Sequence, residues 1–135
     1  MENSIAPTVE SIAVIGAGTM GHGIAQVAAA AGYRVILRDV DRDALARGVQ
    51  AIERNLAKGI RLAKLTEADR DETLQRIRGV TSLAETTSAD LIIEAAPERL
   101  DLKQQILSEL ERAATRPFIF ATNTSSLSIS EIAKV

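Results

Sequence analysis

The chain has 135 residues, 46% of them hydrophobic and 25% charged, with a formal net charge of −2, which is the composition of one ordinary globular domain. That balance excludes a general attraction to nucleic acid or to an anionic membrane, no run approaches membrane-spanning length, and the absence of cysteine excludes a disulfide framework and a thiolate metal site. The expectation is a soluble chain in a reducing, cytoplasmic setting, with residues 1–10 as a flexible leader and 11–135 as one domain.

The first element is a strand. Ile12, Val14 and Ile15 form an unbroken apolar run of the kind covered on both faces of a parallel sheet, and it ends abruptly at Gly16. From Met20 the period becomes helical, with Ile24, Val27, Ala28 and Ala31 on one face and Gly32 closing the helix. Gly16-x-Gly18-x-x-Gly21 therefore lies at a strand-to-helix turn. In such a turn the first glycine allows the sharp bend, the second removes a side chain that would block a pyrophosphate, and the third lets helix and strand approach. A second strand, Arg34–Asp39, ends in an acid 18 positions beyond Gly21, the distance at which a carboxylate reaches an adenosine ribose. Such an acid accepts hydrogen bonds from ribose hydroxyls and repels a 2′-phosphate, so the expected cofactor is NAD rather than NADP. Arg38 and Arg42 flank Asp39, and strand alternation turns Arg38 to the opposite side.

Residues 41–64 read as one long helix with Leu45, Val49, Ile52, Leu56 and Ile60 on its inner stripe. Arg47, Arg54, Lys58 and Arg61 form a basic ridge opposite, either a solvated face or a landing strip for a polyanionic group. Thr66 and Asp69 have capping-box spacing for a further helix carrying Leu74 and Ile77. The two helices make a hairpin, at about residues 41–78, inserted between the second and third strands.

Val80 and Thr81 are expected to begin the third strand, followed by a turn-rich stretch over residues 84–90. Leu91–Ala96 is the fourth strand, Glu98 leads into a helix with Ile106, Leu107, Leu110 and Ala114 inward, and Phe118–Thr122 is the fifth. The fold class is α/β, a Rossmann-like doubly wound parallel sheet of order 3-2-1-4-5 with an inserted helical hairpin, incomplete at its C-terminus. In that order the loops at residues 16–20, 95–103 and 122–126 open on one crevice. A last helix is expected near Ile129, capped by Ser128 and Glu131. The fifth strand is then an apolar sheet edge, a route to a homodimer by edge pairing or by exchange of the C-terminal helix.

Three passages, Val14–Gln26, Ile93–Glu98 and Ala121–Ile129, together resemble the cofactor-binding domain of the L-3-hydroxyacyl-CoA dehydrogenase family. The resemblance spans nearly the whole chain, and its most specific part is Asn123-Thr-Ser-Ser-Leu127. It implies that Gly16, Ala17, Gly18, Thr19, Met20 and Gly21 hold the pyrophosphate of NAD and Asp39 the adenosine ribose. Glu98 and Lys103 would lie toward the nicotinamide ribose; Asn123 and Ser125 would complete the cofactor site, with Ser125 also touching the substrate oxygen. The substrate pair it implies is 3-hydroxyacyl-CoA and 3-oxoacyl-CoA, with coenzyme A contacts on the hairpin at Arg54, Asn55, Lys58 and Arg61. One position at which the family carries a CoA-contacting basic residue is Leu62 here.

Other readings stand beside these roles. Residues 123–126 also suit a turn bonded to its own backbone, and Glu98 with Lys103 suits an exposed helix pair. His22, the single histidine, lies beside the phosphate loop and suits a surface role, or a place behind the residues that touch the phosphates, better than proton transfer. The family's His, held by a Glu, lies beyond Asn123–Ser126, so this chain by itself is expected to bind NAD without turning over a hydroxyacyl-CoA. Rival functions are another two-domain NAD-dependent hydroxyacid dehydrogenase, which needs no CoA, and a non-catalytic NAD-binding module.

Overall fold

The computed structural model describes residues 8–122. Five parallel strands run in the order β3-β2-β1-β4-β5: β1 (Ser11–Ile15), β2 (Arg34–Arg38), β3 (Ile77–Val80), β4 (Leu91–Glu94) and β5 (Ile119–Thr122). Helix α1 (Thr19–Ala30) joins β1 to β2, α2 (Arg42–Arg61) and α3 (Glu67–Gln75) join β2 to β3, and α4 (Leu100–Ala113) joins β4 to β5. The chain starts in the middle of the sheet, winds outward through β2 and β3, then returns past β1 to β4. Right-handed crossovers therefore put α1 and α2 on one face and α4 on the other.

Each face has its own core. Ile12 and Val14 of β1 point to the first, where they meet Ala25, Ala28 and Ala29 of α1, Val35 and Leu37 of β2, and Ile52 and Leu56 of α2. Ala13 and Ile15 point to the second and meet Ile92, Ile106 and Leu110. Strand alternation thus buries β1 from both sides. Each fully buried Leu or Ile contributes about 1.5–3 kcal/mol, offset by the entropy of ordering it.

The helices begin where side chains satisfy their free amides. The Asp41 carboxylate accepts from Asp43 N at 2.9 Å at the start of α2. Thr66 and Asp69 form the reciprocal capping box of α3, with bonds of 2.9 and 3.1 Å. These interactions hold the Asp69 carboxyl below its usual range, first through the bond from the Thr66 amide.

Several strand boundaries differ from expectation. Ile77 is not helical but opens β3 beside Val35, and Thr81 lies past the strand's end rather than inside it. The three-residue step from Leu74 to Ile77 fits a helical stripe, but the ladder bond from Val35 N to Arg76 O at 2.8 Å takes Ile77 into the sheet. The turn-rich stretch contains a short 3₁₀ turn, Leu83–Ser88. Strand β4 stops at Glu94, two residues before the expected Ala96, and β5 starts one later than Phe118.

Register aligns Arg38, Ile15, Glu94 and Thr122 in one row across the carboxyl edge of the sheet. The loops that leave this row carry the candidate site. The expected helix near Ile129 lies outside the described residues.

Candidate dinucleotide site

The glycine turn is fixed by contacts that leave no room for side chains. Gly16 has φ +106°, and a Cβ there would stand 2.8 Å from Ala95 O. A Cβ on Gly21 would lie 1.6 Å from Gly16 O, so only glycine lets α1 start this close to the turn. The turn is tied down by Gly16 N donating to Arg38 O at 2.7 Å and by His22 N donating to Gly18 O at 2.9 Å.

Gly18 is different. No atom of the described residues lies within 4 Å of where its Cβ would be, so its lack of a side chain relieves no clash among them. It holds the N-cap of α1, no side chain caps that helix end, and its first turn contains no acid. Gly18, Thr19 and Met20 are exposed, so the amides of the first turn face solvent at the positive end of a helix of 12 residues. An open cradle over uncapped amides fits a pyrophosphate.

Asp39 joins this corner from β2. One carboxylate oxygen accepts from Ala17 N at 3.0 Å and the other from Asp41 N at 3.0 Å, which uses about two of its four lone-pair sites. The others are available to a vicinal diol. Ala17 is 2% exposed, so its amide serves to fix Asp39 against the turn. Arg38 points the other way and donates from Nε to Thr81 O at 3.0 Å; its burial lowers its pKa, against the raising influence of Asp39 and Glu109. The nearest cation in sequence thus does not neutralise the face that Asp39 presents.

The second corner follows β4. Lys103 is not an exposed helix residue: it and Glu94 are both 0% exposed, with Nζ 2.7 and 2.6 Å from the two Glu94 oxygens. Lys103 Nζ also donates to Ala96 O at 3.3 Å and stands 3.7 Å from Glu98 Oε1. Glu94 additionally accepts from Ala96 N at 2.6 Å and from the Thr122 hydroxyl. The structure places Glu98 3.7 Å from Lys103, with Glu98 outermost and Lys103 buried beneath it. Glu94 was not among the residues expected at the site, although an acid in the middle of Leu-Ile-Ile-Glu-Ala-Ala is its signal.

Asn123 and Ser125 lie outside the described residues. The strand that leads to them ends at Thr122, bonded to Glu94. On the hairpin, Arg54, Asn55, Lys58 and Arg61 are exposed along α2, and Asn55 Nδ2 donates to Gln26 Oε1 at 3.1 Å. His22 Nδ1 is buried without a partner among the described residues. Among those residues there is no cluster of metal-ligating side chains and no helix long and apolar enough to cross a membrane.

A glycine turn, an uncapped helix and an acid at the end of β2, set on the carboxyl edge of a doubly wound sheet, define a dinucleotide-binding domain. Residues 11–135 match the family model of the 3-hydroxyacyl-CoA dehydrogenase NAD-binding domain, and the chain belongs to that family. It is 42% identical to 3-hydroxyadipyl-CoA dehydrogenase of Escherichia coli over 93% of its own length and 26% of the relative's. It is 40% identical to 3-hydroxybutyryl-CoA dehydrogenase of Bradyrhizobium diazoefficiens over 96% of its length and 44% of the relative's. The crystal structure of (S)-3-hydroxybutyryl-CoA dehydrogenase from Ralstonia eutropha superposes with a TM-score of 0.88 at 40% identity, covering 93% of this chain and 44% of that one. The chain thus spans less than half the length of each of these three.

Proposed function

We propose that this chain supplies the NAD-binding part of an enzyme that interconverts L-3-hydroxyacyl-CoA and 3-oxoacyl-CoA. The observation that carries the cofactor half is the Asp39 carboxylate fixed 3.0 Å from Ala17 N beside the uncapped start of α1. When bound there, NAD supplies the hydride acceptor for a secondary alcohol.

The chain's own residues then divide the work. Gly16, Ala17 and Gly21 shape the turn, and Gly18, Thr19 and Met20 offer amides to the pyrophosphate. Asp39 takes the adenosine ribose and excludes a 2′-phosphate. Glu98, backed by Lys103, faces the nicotinamide ribose; Asn123 and Ser125 complete that end, and Ser125 contacts the substrate oxygen. For the CoA half, the exposed cations Arg54, Lys58 and Arg61 form no ion pair among the described residues, and Asn55 is held against α1 through Gln26. A phosphate-rich ligand is the partner such a ridge suits. Self-association through β5 extends the same reading: Ile119 is 47% exposed, and no further strand covers that edge among the described residues.

The test is an equilibrium titration of this chain with NADH and with NADPH, followed by cofactor fluorescence. The expected result is saturable NADH binding, with NADPH weaker. Asp39→Ala should weaken NADH by about tenfold, the loss of charge-assisted hydrogen bonds, and narrow the gap to NADPH. Failure of NADH to bind, or a preference that Asp39→Ala leaves untouched, overturns the reading.

A further inference from the structure

Three segments meet at one carboxylate. Glu94 is the last residue of β4, in register with Ile15 on one side and Thr122 on the other, so it sits where the sheet changes winding direction. Its two oxygens hold the loop after β4 through Ala96 N at 2.6 Å, α4 through Lys103 Nζ at 2.6 and 2.7 Å, and the end of β5 through the Thr122 hydroxyl. Lys103 in turn holds the same loop through Ala96 O at 3.3 Å and approaches Glu98 at 3.7 Å.

Stability alone does not account for such a cluster. Glu94 and Lys103 are both wholly buried, Glu94 in register with Ile15 and Lys103 on the buried side of α4 with Ile106 and Leu110. Withdrawing two charges from water costs as much as or more than their attraction returns, and an apolar pair of similar volume commonly fills such a place at no loss. What an apolar pair cannot do is fix direction. The carboxylate offers several acceptor sites, and here they impose one arrangement on three segments: residues 95–99, the first turn of α4, and the strand end that feeds residue 123.

We infer that Glu94 is a positioning residue for the nicotinamide half of the cofactor site. The inference rests on the NAD reading above and deepens it. Glu94 is wholly buried and does not itself line the crevice; it acts through Lys103 and Ala96 on the loop that carries Glu98, and the Thr122 hydroxyl ties the end of β5 to the same carboxylate. The adenosine half is built on β1, α1 and β2 and shares none of these bonds. An amide at position 94 would keep the size but place a donor against the Lys103 ammonium or the Ala96 N–H, and an aspartate would fall one methylene short.

The experiment compares two ligands on the same protein. ADP carries the adenosine and both phosphates but not the nicotinamide ribose, so it reads the adenosine half while NADH reads both; their affinities are measured by titration calorimetry for the wild-type chain, Glu94→Gln and Thr122→Val, with circular dichroism to follow folding. Glu94→Gln is expected to weaken NADH by about tenfold, the scale of one lost charge-assisted hydrogen bond, while ADP changes by less than about twofold. Thr122→Val removes one tie without stranding a charge and should shift the same ratio in the same direction by a smaller factor. Equal weakening of both ligands by Glu94→Gln, or no change in either, overturns the inference and leaves the NAD reading intact. If Glu94→Gln does not fold, Thr122→Val decides: an unchanged ratio overturns the inference. A wild-type chain that binds neither ligand overturns both readings.

Discussion

The two corners of the crevice are built on different principles. At the first, backbone does the work: glycines at 16 and 21 let main chain meet main chain, and the donors left over are amides of α1. At the second, side chains do it: Glu94, Lys103 and Thr122 come from two strands and a helix, and close a buried network with Ala96. Where main chain meets main chain, at Gly16 and Gly21, such a site tolerates nothing larger than hydrogen. A side-chain site tolerates volume changes better than the loss of one partner.

The largest effect expected from that contrast is at Gly21. A Cβ 1.6 Å from Gly16 O meets backbone on both sides, so neither group can yield. Gly21→Ala should lower stability by about 3 kcal/mol or more, measured by urea denaturation. Gly18→Ala is its complement, because its Cβ enters open space. It should leave stability within about 1 kcal/mol of wild type while weakening NADH by at least about tenfold, a loss of 1.4 kcal/mol in binding. A Gly18→Ala chain that binds NADH normally would show that the open cradle is not where the pyrophosphate lies.

The second corner breaks in another way. Lys103→Met leaves the Glu94 carboxylate buried without its cation and should cost about 3–5 kcal/mol. Adding Glu94→Leu should recover most of that loss, since the pair as a whole contributes little net stability. Such recovery has no counterpart at Gly21, where no second substitution removes a main-chain oxygen. If the double variant is no more stable than Lys103→Met, the network carries stability as well as position.

The same contrast explains what could be read before the structure. Glycine spacing, the change from strand to helix and the acid after β2 are local signals, and they located the first corner together with the strand order. The second corner joins residues nine and 28 positions apart, Lys103 and Thr122 to Glu94, and no local pattern records such a meeting. One sign was present: Lys103 falls three residues before Ile106 and seven before Leu110, on the inward stripe of α4. A lysine on that stripe needs a buried acid, and Glu94 is the acid in the strand beneath. The start of β3 was misplaced because Ile77 fits a helical and an extended pattern equally well.

Asp90 sharpens the comparison, because it brackets β4 at the end opposite Glu94. It accepts from Glu10 N at 2.8 Å, from Ser11 N at 3.2 Å and from Arg116 at 2.8 Å, so it too joins the segments that flank β4. Unlike Glu94 it is only partly buried, its side chain 22% exposed beside an Arg116 that is 47% exposed. The amide bond from Glu10, and after it the bond from Arg116, hold its carboxyl down at about 2. A depressed folded pKa means that the unfolded chain takes up the proton first. The contribution of Asp90 is therefore fully present above about pH 4, near its unfolded pKa, and is lost as pH falls toward 2. Asp90→Asn should lower the urea midpoint at pH 7, and the gap to wild type should narrow steadily between pH 4 and pH 2.5. Its NADH affinity at pH 7 should stay within about twofold of wild type, because the amino edge of the sheet shares no bond with the crevice. A loss of NADH affinity as large as that expected for Glu94→Gln would mean that β4 transmits strain from either end, and that the position of Glu94 on the carboxyl edge is not what matters.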